Sequence, residues 1–208
     1  MIKCNATLNG VISRAATMRS GSEGKQFIGF TVKVIVPGKT GNREVEVSVG
    51  KDGTETEAAM FTAGKRIEAT GTLTFKKKED KLYLNFKCEE ANLSPQNDKS
   101  GIEGSMEFKG TIGKQVEEKT DRKGNAYITF SAFSTEKTGE TFSYTWVRFI
   151  RFSSQKEGFL TPKSKIRVKG QMELSAYYDN IGISCRIDEI SEYRGTPTDG
   201  NVSDNTKH

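Results

Sequence analysis

The 208-residue chain repeats itself. Gly10-Val11-Ile12 recurs as Gly110-Thr111-Ile112, and Gly24-Lys25-Gln26-Phe27-Ile28-Gly29-Phe30 recurs as Gly124-Asn125-Ala126-Tyr127-Ile128-Thr129-Phe130, both at an offset of 100. Lys65-Arg66-Ile67-Glu68-Ala69-Thr70-Gly71 recurs as Ser164-Lys165-Ile166-Arg167-Val168-Lys169-Gly170 at an offset of 99. Such a small drift over half a chain means two copies of one domain, which constrains the fold more than any local propensity. The polar, turn-rich stretch Ser94-Pro95-Gln96-Asn97-Asp98-Lys99-Ser100-Gly101 lies between them. We expect a first domain over residues 1–94, a linker over 95–104 and a second domain over 105–193. Residues 194–208 hold almost nothing apolar and read as a disordered tail.

Within each copy the hydrophobic period is two, the spacing of half-buried strands. In the second copy Phe108, Gly110 and Ile112 alternate with polar neighbours, as do Ile128, Phe130 and Ala132, then Val147 and Phe149, then Ile166, Val168, Gly170 and Met172, then Ile181, Ile183, Cys185 and Ile187. The first copy matches with strands around Leu8, Phe30, Val47, Ala69 and Phe86. Between its third and fourth strands, Thr54-x-x-Glu57 forms a capping box before helix formers. Ser154-x-x-Glu157 keeps the box but is followed by Gly158, which predicts a shorter or weaker helix. Three strands, a helix and two strands in about 90 residues describe an all-β fold, two tandem OB-fold Greek-key barrels of five strands each. An SH3-like barrel is the main competitor, and the helix position favours the OB-fold.

Composition removes most other functions. The sole histidine is His208, which excludes histidine-based triads, acid–base work and most metal sites. Cys4, Cys88 and Cys185 are odd in number, widely spaced and set in strand patterns, so they read as buried thiols rather than a disulfide or zinc framework. No phosphate-binding glycine loop is present, and acidic pairs such as Asp188-Glu189 lack partners. We therefore expect no enzyme, no cofactor and no metal. No apolar run is long enough to span a membrane, and Met1–Ala6 lacks an apolar segment after its lysine, so we expect a cytoplasmic protein with no membrane partner. The chain carries +5 net charge; residues 1–100 hold 16 basic and 12 acidic side chains, and residues 101–208 hold 16 and 15. That balance permits a polyanionic partner without demanding one.

Side chains on the outward phase of a small barrel need an explanation other than the core. In the second copy Tyr127 and Phe133 share that phase in strand two, and Tyr144, Trp146 and Arg148 share it in strand three. Phe152 follows at the strand end, and Tyr177-Tyr178 sits between strands four and five. Aromatic rings beside cations suit single-stranded nucleic acid, because unpaired bases stack on rings while phosphates take Arg148 and Arg151. Each also has a plainer reading. Trp146 could cover an edge or an interface, paired aromatics stabilise sheets, and exposed arginines are often only solvated. The run Lys76-Lys77-Lys78 in the first copy is a candidate phosphate contact or a solvated loop.

Gly110-Thr111-Ile112-Gly113, then Trp146-Val147-Arg148-Phe149-Ile150-Arg151-Phe152, then Gly158-Phe159-Leu160 through Gly170, resembles the bacterial-type single-stranded DNA-binding protein family. In that family a Trp opens strand three, an Arg follows two residues on, and a Phe ends the strand; Trp146, Arg148 and Phe152 match. Counted from the strand-four glycine, Tyr177 falls where the family places another stacking aromatic. The likeness covers residues 106–193 well, and over 3–93 it rests on the internal repeat. The resemblance implies single-stranded DNA binding with little sequence preference in replication, recombination or repair. Because family members bring four barrels together, it also implies a homodimer.

The first copy departs from this pattern. Glu46 stands at the Trp position, Ser48 at the Arg position and Lys78 at the Tyr177 position. We expect this copy to bind weakly through Phe27, Lys33 and Lys76 to Lys78, or to serve assembly. The end, Asp204-Asn205-Thr206-Lys207-His208, lacks the acidic tip with which family members recruit replication proteins, so that recruitment is not expected. Two other readings stay open: a protein-interaction or oligomerisation module using the same aromatics, and an RNA binder, since stacking does not distinguish the sugar.

Overall fold

The computed structural model describes residues 1–21, 24–79, 81–138, 140–178 and 180–193; the expected tail over 194–208 lies outside them. The first copy consists of β1 (Ile2–Ser20), β2 (Gln26–Val36), β3 (Arg43–Lys51), α1 (Glu55–Ala58), β4 (Arg66–Lys78) and β5 (Lys81–Asn92). The second consists of β6 (Gly101–Thr120), β7 (Ala126–Thr138), β8 (Thr141–Arg151), β9 (Lys165–Tyr177) and β10 (Asn180–Glu192). Strand β1 pairs with β2, β2 with β3, β3 in parallel with β5, β5 with β4, and β4 again with β1. The second copy closes in the same order, with β8 and β10 as its parallel pair. This closed five-strand order is the OB-fold, present twice.

Closure depends on the long first strand of each copy. Residues Cys4–Val11 of β1 pair with β4, whereas Val11–Ser20 pair with β2, and register shifts between Ile12 and Thr17 mark the bend. Strand β6 shifts between Ile112 and Val116 in the same way. Bulges of this kind increase local twist and turn a strand around a barrel corner. The alternating residues then point inward: Leu8, Ile28, Val47, Ile67 and Leu84 in one barrel, Ile112, Ile128, Val147, Ile166 and Ile183 in the other. Phe149 is fully buried and packs against Phe108 and Phe130, with centroids 4.8 and 5.2 Å away. Burying such a ring contributes about 2–3 kcal/mol. The repeated glycines answer to close backbone approach. A Cβ on Gly10 would meet the Lys33 carbonyl, and one on Gly110 the Phe133 carbonyl; Gly71 and Gly170 face Lys87 and Arg186 likewise.

The two copies differ between their third and fourth strands. In α1 the capping box forms: Glu57 N donates to Thr54 Oγ1 at 3.3 Å, and Thr54 N donates to Glu57 Oε2 at 2.7 Å. That backbone hydrogen bond holds the Glu57 carboxyl below its ordinary range. The helix expected in the second copy is absent, and its segment consists of turns. Glu157 is drawn into an ion pair with Arg151, Gln155 N donates to Ser153 Oγ at 3.2 Å, and Gly158 adds the entropic cost of helical glycine. Leu160 fills the barrel end there, where Phe61 of the first copy stacks on Phe30.

The barrels are fused edge to edge. Strand β6 begins at Gly101, inside the stretch expected to be a linker, and runs antiparallel to β1 from Asn9↔Gly101 to Ile2↔Phe108. Asn5 faces Ser105 in this ladder, so equivalent positions of the two copies meet and a pseudo-two-fold axis passes between them. The small residues of the expected linker allow this approach: a Cβ on Gly104 would collide with the Asn5 carbonyl and with Ala6. All ten strands thereby join one sheet, and the buried residues of both barrels form one cluster.

Candidate nucleic-acid interface

The outward phase of β7 and β8 places aromatic rings side by side. Phe133 lies directly across the ladder from Trp146, with ring centroids 5.0 Å apart, and its edge meets Tyr144 at 5.6 Å. The indole is 51% exposed although Phe133 supports one side of it. Gly113 of β6 lies against another side, where a Cβ would sit 3.0 Å from Trp146 Cζ3. At the far end of β8, Phe152 is exposed and tilted 6.1 Å from the half-buried Tyr127. Tyr177 and Tyr178 pack edge to face at the β9–β10 turn, both exposed. Tyr178 adopts φ 49, a left-handed conformation that a non-glycine residue enters at a cost.

Trp146 borders two depressions. The smaller, about 410 Å³, carries Lys114, Arg148 and Glu117 beside the indole. Lys119, 2.6 Å from Glu117, holds that carboxyl below its ordinary range, so the acid in this hollow is already paired. The larger, about 1040 Å³, lies between the barrels. Phe133, Phe142, Tyr144 and Trp146 of the second barrel line one wall, and Lys76, Lys77 and Lys78 of the first line the other. Among the described residues none of these three lysines makes an ion pair, while Glu79 and Glu136 moderate the charge at the rim.

The first barrel carries a different surface at the matching positions. Lys33 faces Glu46 across β2 and β3, where the second barrel has Phe133 facing Trp146. Glu46 pairs with Arg14 at 3.0 Å and Lys33 with Glu44 at 3.0 Å, a bond that holds the Lys33 ammonium above its ordinary pKa. Lys33 is thus engaged in its own sheet, away from the aromatic platform. Phe27 lines a separate first-barrel depression of about 590 Å³ with Arg19, Lys25, Lys51 and Lys87. Lys25 pairs there with Asp52 at 3.1 Å, and Lys51 reaches Glu57 at 3.9 Å. Arg151 is half-buried and ion-paired to Glu157, which leaves Arg148 as the exposed cation of β8.

No protein-family model and no curated protein matches this chain. Among solved structures it is similar to the wild-type single-stranded DNA-binding protein of Thermus aquaticus, with 15% identity, a TM-score of 0.49, and coverage of 95% of this chain and 96% of that one. A deletion mutant of the same Thermus aquaticus protein gives 14% identity and a TM-score of 0.47, covering 95% of this chain and 98% of that one. The mitochondrial single-stranded DNA-binding protein Rim1 of S. cerevisiae gives 21% identity and a TM-score of 0.35, covering 42% of this chain and 91% of its own. The fold assignment rests on the strand order described above.

Two residues of the platform escaped the sequence reading. Phe142 is 56% exposed beside the inter-barrel groove, with Lys137 Nζ 5.7 Å from its ring centre. Its signal was present, since Phe142, Tyr144, Trp146 and Arg148 continue one alternation. Gly113 was visible only as part of a motif, and its role as a seat for the indole needs the fold. Among the described residues no group of three or more His, Cys, Asp or Glu could hold a metal ion, and no helix is long and apolar enough to cross a membrane.

Proposed function

We propose that this chain binds single-stranded DNA without catalysis and with little sequence preference, chiefly through the second barrel. The observation that carries the reading is the Trp146 indole, packed against Gly113 and Phe133 yet half open to solvent, with Arg148 and Lys114 beside it and neither in an ion pair among the described residues. Every base has a π-face, so a ring platform accepts any sequence, and each stacked base contributes about 1–3 kcal/mol. Duplex bases already stack on one another and cannot use such a platform. Tyr144, Phe152, Tyr177 and Tyr178 extend the stacking surface, and Arg148 with nearby lysines neutralises phosphates. The reading extends to protection of exposed strands in replication, recombination or repair in the cytoplasm, by a homodimer presenting four barrels.

Titration of indole emission with oligothymidine tests it, because Trp146 is the sole tryptophan. Quenching is expected, with gel-shift affinity reduced at least tenfold in Trp146→Ala and several-fold in Phe152→Ala. Unchanged emission in excess oligomer, or equal retention of all three proteins, overturns the reading. Competition with matched RNA oligomers separates DNA from RNA preference, and sedimentation mass tests the homodimer.

A further inference from the structure

The pseudo-two-fold axis at Asn5 and Ser105 relates two junctions between the barrels, and the junctions differ. At one, the loop after β2 folds onto the second barrel: Ala176 N donates to the Pro37 carbonyl at 2.8 Å, and Gly38 bridges to Ala176. A Cβ on Gly38 would sit 2.9 Å from the Ala176 oxygen, so this junction is shut backbone to backbone. At the other, the β7–β8 ladder runs on to Thr138↔Thr141, and this hairpin and the β4–β5 hairpin line opposite walls of an open space. The groove of about 1040 Å³ lies here. The sequence explains the asymmetry. Pro37, which has no N–H to continue a ladder, and Gly38, which permits the close fold, are replaced at the equivalent positions by Lys137 and Thr138. Asn42 is replaced by Phe142, which adds a ring to the open groove.

We propose that a single DNA strand leaving Trp146 passes through this one open junction, stacking on Phe142 and Tyr144 while Lys76, Lys77 and Lys78 of the first barrel take its phosphates. This rests on the single-stranded DNA reading above and gives the strand a path. The first barrel contributes through its β4–β5 hairpin, across the pseudo-axis, rather than through the surface equivalent to the Trp146 platform, where Lys33, Glu46, Arg14 and Glu44 are ion-paired. The arrangement is one-sided, so the strand crosses from second to first barrel by a single route. Trp146 stands between the two depressions, with Arg148 on the near side and the lysine wall on the far side.

The test compares wild type with the triple variant Lys76→Ala, Lys77→Ala, Lys78→Ala and with a control that removes three exposed lysines outside the groove, Lys39→Ala, Lys65→Ala, Lys165→Ala. Each is titrated with a short oligothymidine of about 5 nucleotides and a long one of about 20, against typical site sizes of about 4–16 nucleotides per OB-fold. For the long oligomer, the groove variant is expected to bind at least tenfold more weakly, and its log K against log salt to become shallower by about 2, at roughly 0.7 for each phosphate no longer neutralised. The short oligomer, held on the second barrel, is expected to bind it as it binds wild type. Equal weakening in groove variant and control, or no change in the groove variant, overturns the path while indole quenching still supports the binding reading. Absence of quenching in wild type overturns both. Thermal melting of each variant verifies that these surface changes leave the fold intact.

Discussion

Phe133 and Trp146 face each other across the β7–β8 ladder with ring centroids 5.0 Å apart and planes inclined by 53°. The half-buried phenylalanine is the support of the exposed indole, so the orientation of the stacking ring depends on a residue that need not touch a base.

Removing that support is expected to act on binding through geometry. In Phe133→Ala the indole emission maximum should move to longer wavelength, and oligothymidine affinity should fall several-fold. Gly113→Ala should also reduce affinity, since its Cβ would press on the Cζ3 edge of the Trp146 ring or on the nearby Ser131 carbonyl. Fluorescence titration measures both; wild-type affinity in both variants shows that the indole orientation is irrelevant.

The left-handed backbone at Tyr178 gives a paired experiment. Tyr178→Gly and Tyr178→Ala lose the same ring, but an alanine retains the Cβ that strains this conformation. The glycine variant is expected to be more stable by about 1 kcal/mol in urea unfolding, with DNA affinity lowered equally in both. Equal stabilities would remove backbone strain as the explanation.

Capping separates the two copies. Thr54→Ala removes a formed capping box and is expected to cost about 1 kcal/mol. Ser154→Ala, at the matching position, should change unfolding free energy little, because no helix follows it. Chemical denaturation of the two variants gives the comparison directly.

Burial pushes the Cys4 and Cys185 thiols up to about 12 and Cys88 to about 11. A thiol whose folded pKa exceeds its unfolded value favours the native state only while the unfolded thiol also stays protonated. Stability from this source is complete below about pH 9 and declines as pH rises toward about 12, because the unfolded chain releases protons that the folded one retains. Melting temperatures between pH 8 and pH 11 should fall, and less steeply in a Cys4→Ala, Cys185→Ala variant once its lower starting stability is accounted for.

The strands were legible because one face of each is buried, which writes a period of two directly into residues such as Ile128, Phe130 and Ala132. The repeated glycines were legible as repeats, and the structure supplies their cause in backbone contact at Gly10, Gly110, Gly71 and Gly170. The β1–β6 ladder was not legible. Periodicity says which face of a strand is buried but not which strand lies beside it, and Gly101, Glu103 and Gly104 read as a connector although Ile102 among them is buried. The second helix was expected from Ser154 and Glu157 because a capping box is local, whereas the pull of Arg151 on Glu157 comes from another strand. The inter-barrel groove was out of reach for the same reason. Lys76 to Lys78 and Trp146 could each be singled out in sequence, but their shared groove follows only from how the barrels join.

That joining changes what the covalent connector is for. Because β1 and β6 zip together over Ile2–Asn9 and Gly101–Phe108, the peptide between Asn92 and Gly101 need not act as a leash. A protease nick there should leave both fragments co-eluting from a sizing column as one particle. The distance between the platform and the lysine hairpin is then set by the weld and stays the same however long or pliant that peptide becomes.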